Sequence, residues 1–162
     1  MAKTASELLK ELNRDPAYRK MKRDQEKRIK KLGKECDADE RELLKEIYEA
    51  GIEVGSVYDF VNSGDHYPEA YPVLQKHLKL PHHPRIREGI IRALTVKDFG
   101  KEIELDLLEE LRKEKDNLMR WTIANALKTA MPYHRRKKYP EIKDAWENYS
   151  NHNTEQGSGG NG

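Results

Sequence analysis

At 162 residues the chain has room for one modest core or a few stacked repeats, and its 31 basic and 29 acidic side chains leave a net charge of only +2. That charge gives no argument for nucleic acid by itself, and no apolar run approaches the roughly 20 residues that span a bilayer. Charged residues make up 37% and hydrophobic ones 36%, which suits helices that are wet on one side better than a thick core.

The single cysteine, Cys36, excludes an intramolecular disulfide and fits a reducing compartment. The first residues, Met1 to Ser6, lead into a charged helix without the apolar stretch of a signal peptide, so a cytoplasmic protein is expected. Residues 1–38 read as a charged helical arm. Ser6 is placed to cap a short helix carrying Leu8, Leu9 and Leu12. Asp15-Pro16 restarts the chain as a helix to about Glu35, with a sparse stripe of Tyr18, Met21, Ile29 and Leu32 among many lysines and arginines.

Residues 39–149 read as the folded domain. Asp39 is expected to cap a helix carrying Leu43, Leu44 and Ile47, which Gly51 closes because glycine tolerates the left-handed C-terminal conformation. Ser56 to Gly64 is a second short helix. Its β-branched and aromatic residues alternate poorly, and no partner strand is in view.

The most informative pattern follows. A shift of 33 positions aligns Leu74 with Leu107, Leu78 with Leu111, Arg87 with Arg120, Ile90 with Ile123, Ala93 with Ala126 and Leu94 with Leu127, and it pairs Ile86 with Met119. Each copy reads as a helix, a turn and a second helix, with turns at Pro81-His82-His83-Pro84 and Glu114-Lys115-Asp116-Asn117. A repeat of this length built from paired helices is the signature of an α-solenoid. The final residues, 150–162, are polar and glycine-rich and read as a disordered tail.

The segments Arg87-Glu88-Gly89-Ile90-Ile91-Arg92-Ala93-Leu94 and Arg120-Trp121-Thr122-Ile123-Ala124-Asn125-Ala126-Leu127 resemble the second helix of HEAT repeats. The stretch from Val57 to Leu94 is also similar to small bacterial HEAT-like proteins, which as a group lack an assigned reaction. The resemblance implies a right-handed stack of about three helical hairpins. In that family an aspartate before the second helix often helps join neighbouring repeats. Asp116 stands there, and His83 stands at the equivalent place one repeat earlier.

Candidate chemistry is sparse. No phosphate loop, nucleophile elbow or zinc-protease helix is present, and Cys36 lies between Glu35 and Asp37, whose charges oppose thiolate formation. No enzyme activity, cofactor or metal is expected. His77, His82 and His83 sit near one turn, but adjacent histidines diverge and no carboxylate stands at ligand spacing, so they read as polar turn residues. Asp59 belongs to an ordinary polar side with Ser56, Asn62 and Ser63, or caps from a buried position.

Two surfaces remain. Arg85, Glu88 and Arg92 form a wet helical face, and their repeat equivalents are Leu118, Trp121 and Asn125. Either the C-terminal segment, with Ile142, Ala145 and Trp146, caps Trp121, or Leu118 and Trp121 stay exposed as an anchor for a partner. The expected function is non-catalytic protein–protein binding or inhibition by a monomeric scaffold, through Arg85, Glu88, Arg92, Trp121, Asn125 and Lys128. Mixed charge on that face favours a protein partner. The alternative is nucleic-acid binding through Arg135, Arg136, Lys137 and Lys138, flanked by Tyr133 and Tyr139, together with the N-terminal helix. HEAT-like folds include alkylpurine DNA glycosylases, whose catalytic positions have no match here.

Overall fold

A computed structural model describes residues 2–157, with side chains over 2–149. The end of the expected tail, 158–162, lies outside the described residues. Every regular element among them is a helix, and none is long and apolar enough to cross a membrane. Contacts divide the chain into two units, Met1–Ala38 and Asp39–Gly162.

The first unit holds α1 (Ala5–Leu12) and nearly all of α2 (Pro16–Asp39). Thr4, not Ser6, caps α1. Its hydroxyl accepts from the Glu7 N–H at 3.3 Å, while the Glu7 carboxylate accepts the Thr4 N–H at 2.9 Å. The Thr-x-x-Glu spacing satisfies two end donors at once, which a lone Ser6 does not. Asp15 starts α2 by accepting from the Ala17 N–H at 2.9 Å. No residue of α1 or α2 is buried, Met21 and Ile29 included. The helix passes Glu35 because nothing in Cys36-Asp37-Ala38 breaks it.

The second unit opens with α3 (Arg41–Glu49). Asp39 does not cap it, because its carboxylate takes the side chain of His82 and the backbone N–H of His83. Glu40 stands at the cap position but sends its carboxylate to the Val57 N–H at 3.1 Å and the Ser56 hydroxyl at 3.2 Å. Gly51, at φ 98°, closes α3 with the expected left-handed turn. The Gly51 N–H reaches Tyr48 O and the Ile52 N–H reaches Ile47 O, the paired bonds that satisfy a helix end. Next comes α4 (Tyr58–Asn62), shorter than its glycine boundaries suggested. Exposed Asp59 accepts the Gly55 and Ser56 N–H groups ahead of it.

A single 3₁₀ turn (Pro68–Ala70) leads into α5 (Tyr71–Leu78), followed by α6 (Pro84–Ala93), α7 (Lys101–Lys113) and α8 (Asn117–Ala130). His83 Nδ1 accepts from the Arg85 N–H and Asp116 from the Met119 N–H, so repeat-equivalent residues cap α6 and α8 with different chemistry. Every aligned apolar pair is buried on both sides of the 33-residue shift: Leu74 and Leu107, Leu78 and Leu111, Ile86 and Met119, Ile90 and Ile123, Ala93 and Ala126, Leu94 and Leu127. At about 2 kcal/mol per buried large aliphatic side chain, this set is a substantial share of the apolar stabilisation, alongside Leu43, Ile47, Phe60, Ile91 and Leu108.

Within each copy the two helices pack together, α5 on α6 and α7 on α8. Between copies α3 packs on α5, and α4, α6 and α8 pack in series. Polar ties run the same way. Gln75 of α5 and Lys79 just after it both reach Asp106 of α7, and Arg87 of α6 reaches Glu110 of α7 at 2.8 Å and Glu114 just beyond it at 3.3 Å. Arg120 turns back onto Leu111 O and Glu114 O, closing the end of α7. Finally α9 (Tyr133–Arg136) leads to α10 (Pro140–Gly157), which packs on α8 and α7 and buries Ile142 and Ala145. Its backbone runs eight residues into the expected tail. Ser150 to Gln156 contains no proline or glycine, so helix breakers begin only at Gly157.

Gly89 is where α4 meets α6. A Cβ there would lie 2.6 Å from a Val57 methyl carbon and 3.0 Å from the Tyr58 ring. Replacing a helical glycine with alanine ordinarily gains up to about 1 kcal/mol. Gly89→Ala is expected instead to lose about 1–3 kcal/mol through overpacking, read as a lower denaturant midpoint in equilibrium unfolding. A gain in stability would show that α4 yields at no cost.

Candidate functional site

On α6, Arg85 is exposed, and its backbone oxygen accepts the Tyr58 hydroxyl at 2.7 Å. Glu88 and Arg92 are half-buried and paired one turn apart, Arg92 Nη2 lying 2.8 Å from Glu88 Oε1. On α8 the repeat-equivalent Leu118 is exposed and Asn125 half-buried. Trp121 is half-buried with its ring centroid 5.7 Å from that of Tyr149 on α10. Covering by the C-terminal helix and partial exposure therefore coexist at Trp121. Lys128 departs from the other five residues. Its ammonium lies 3.4 Å from the centroid of the Trp146 ring, turned toward α10. Burial, and next the charge of Arg136, hold its pKa below the usual 10.5.

The basic segment divides in two. Arg135 makes a two-pronged pair with Glu104 of α7, at 2.9 and 2.7 Å, and Glu104 is 6% exposed. Arg136 Nη1 donates to Lys128 O and Met131 O, satisfying the end of α8. Lys137 and Lys138 are exposed. So the stretch is not one row of solvent-facing cations: two arginines hold α7 and α8 in place, and two lysines face water. Glu104 escaped the sequence reading, although it stands three and four residues before Leu107 and Leu108 and so on the buried stripe.

A third cluster joins residues that the sequence keeps apart. Asp39 Oδ2 lies 2.7 Å from His82 Nδ1, and His82 Nε2 lies 2.9 Å from His77 Nδ1. Glu46 Oε2 follows, 3.2 Å from His77 Nε2, and Lys76 pairs with the other Glu46 oxygen at 2.7 Å. A carboxylate only accepts, so His82 presents Nδ1–H to Asp39 and leaves Nε2 as an acceptor facing His77, while Glu46 can likewise only accept from His77 Nε2; a neutral His77 has one proton and serves one of these two neighbours at a time. Both rings are buried, and the neighbour at the far end is a carboxylate, not a hydroxyl or thiol to be activated. The chain ties α3, α5 and the turn before α6. His82 and His83 do diverge as expected. Asp39 lies 43 and 44 residues upstream of the two, and Glu46 lies 31 residues upstream of His77, separations invisible to spacing arguments. Among the described residues no three of His, Cys, Asp and Glu are arranged to hold a metal ion.

Scans of known proteins give no lead: no family model matches the chain, and no curated protein or solved structure matches it either.

Two predictions come from these clusters. Burial pushes the His77 imidazole below its usual 6.5, with Glu46 pulling the other way. The folded chain therefore binds that proton less readily than the unfolded one. Its contribution is fully present above about pH 6.5 and is lost as pH falls toward the lowered folded value. Unfolding free energies measured from about pH 7 to 5 are expected to decline in the wild type and to flatten in His77→Gln; an unchanged slope in the variant would assign the decline elsewhere. Second, Arg135→Met leaves the Glu104 carboxylate buried and unpaired. Since a third of the Arg135 side chain is exposed, the expected loss is about 2 kcal/mol, against under about 0.5 kcal/mol for Lys137→Ala or Lys138→Ala, all read from urea midpoints.

Proposed function

We propose that the chain is a short HEAT-like α-solenoid whose second-helix face binds a protein partner without catalysis. Support for the solenoid is the burial of all six aligned apolar pairs, together with serial packing of α4, α6 and α8 beside α3 on α5. In such a stack the second helices of successive repeats share one face. On it Arg85, Glu88 and Arg92 of α6 are followed by Leu118, Trp121 and Asn125 of α8.

The observation that carries the binding role is the half-covered Trp121. Tyr149 stands against its ring, which is half-buried, and Leu118 three residues earlier is exposed. A propped indole with an apolar neighbour loses little side-chain freedom on docking, and the Glu88–Arg92 pair on α6, the helix packed on α8, offers both signs of charge. A phosphate backbone would call for uniform positive charge, so a protein with complementary mixed charge fits better.

The test is affinity capture with wild type, Trp121→Ala and Arg92→Glu, each first shown to retain its helical circular dichroism. Loss of the same partner from both variants, equivalent to at least about tenfold weaker binding, is the expected result. Retention of every partner by both would move the binding face elsewhere.

A further inference from the structure

Where the end of α8 meets α9 and α10, a cleft of about 420 Å³ opens, lined by Lys128, Tyr133, Arg136, Lys137, Tyr139 and Trp146. Its wall is rich in cations. Of the half-buried arginines elsewhere in the unit, Arg87, Arg92 and Arg135 meet a carboxylate, and Arg120 is turned onto the carbonyls that end α7. Among the described residues Lys128, Arg136 and Lys137 form no pair with a carboxylate. The one carboxylate in the wall, Glu147, stands 3.8 Å from Lys143 on the same helix. Counting Lys128, Arg136, Lys137 and Lys143 against Glu147 leaves an excess of three positive charges around one concavity.

These cations are not simply loose on the surface. The two main-chain carbonyls that take Arg136 Nη1 fix the guanidinium, and among the described residues Nε and Nη2 have no acceptor. Lys128 is held over the Trp146 ring, 3.4 Å from its centroid, on the same cleft wall as Arg136, so an anion in the cleft would meet both cations. A phosphate alone would leave most of the cleft empty, and the aromatic lining points to a flat ring as the remainder of the ligand. Tyr133 offers the surface: it is 71% exposed, with the Arg136 guanidinium carbon 5.7 Å from its centroid.

We propose that this cleft binds a nucleotide, its phosphate gathered by Lys128, Arg136 and Lys137 and its base stacked on Tyr133. Base–aromatic stacking and phosphate–cation pairing are the two contacts that recognise a nucleotide without reading its sequence. The same chemistry is offered by a free mononucleotide and by the 5′-phosphorylated end of a strand. The inference does not rest on the second-helix face, and Trp121 is not part of the cleft wall.

The experiment is calorimetric titration of the full chain, at low salt, with AMP, adenosine, inorganic phosphate, phosphotyrosine and a short 5′-phosphorylated oligothymidylate. AMP is expected to bind with a dissociation constant below about 1 mM, at least about tenfold tighter than adenosine or phosphate. Tyr133→Ala, at an exposed position, and Lys137→Glu, at another, are each expected to weaken AMP about tenfold without loss of helical signal. Lys128→Met should do the same, and Trp121→Ala should leave AMP binding unchanged, which separates this site from the proposed protein-binding face. Tighter binding of the oligonucleotide than of AMP would assign the site to a strand end, and equal binding to a free nucleotide; either supports the proposal. Absence of AMP binding up to about 5 mM would overturn it, as would binding indifferent to both Tyr133→Ala and Lys137→Glu. Phosphotyrosine binding more tightly than AMP would also overturn it, in favour of a phosphopeptide.

Discussion

No single helical hairpin in the second unit is thick enough to bury its own apolar side. With little more than a third of its residues hydrophobic, the chain must use each leucine and isoleucine at a seam between helices. The aligned set from Leu74 to Leu127 does this. In each copy the first helix supplies two leucines and the second supplies isoleucine or methionine, isoleucine, alanine and leucine, and all are removed from water. Several of the polar contacts in this unit lie at the ends of the helices that form that seam or between them. The caps at His83 and Asp116 set where the second helices begin, Arg120 and Arg136 close the ends of α7 and α8, and Arg87 and Asp106 link one copy to the next.

Much of this architecture was legible in the sequence because it depends on local rules. The 33-residue shift, the Gly51 stop, the Asp15-Pro16 start and the paired helices of each copy all follow from side-chain periodicity and the needs of helix ends. Where reading failed, a long-range contact outbid a local one. Asp39 has the right chemistry and place to cap α3, but two N–H groups from the turn before α6 claim its carboxylate. Glu40 is drawn likewise to the start of α4. Ser6 lost to Thr4 for a local reason, since only Thr4 has a glutamate three residues on.

The candidate sites were legible in part, for the same physical reason. Trp121 was recognisable as out of keeping with its repeat equivalent, Glu88, but its support by Tyr149 depends on where α10 lies. Residues 134–138 looked like one basic run. Folding divides them according to whether the backbone turn directs each one toward α7, toward the end of α8, or into solvent. A linear charge count cannot make that distinction. It also cannot anticipate that Lys128, one helix earlier, joins Arg136 and Lys137 around a common cleft.

The close approach at Gly89 has a consequence for how this unit arose and how it can be altered. The aligned residue in the next copy is Thr122, whose hydroxyl bonds back to Leu118 O inside its own helix. A threonine side chain at 89 would begin with the same Cβ that Val57 and Tyr58 exclude. The two copies therefore share a pattern but are not interchangeable modules. Duplicating the later hairpin into the earlier place would preserve every leucine of the seam and still fail at one position. Each copy has become specific to the neighbour it receives, so the order of hairpins is itself encoded, in this case by the absence of a single methyl group.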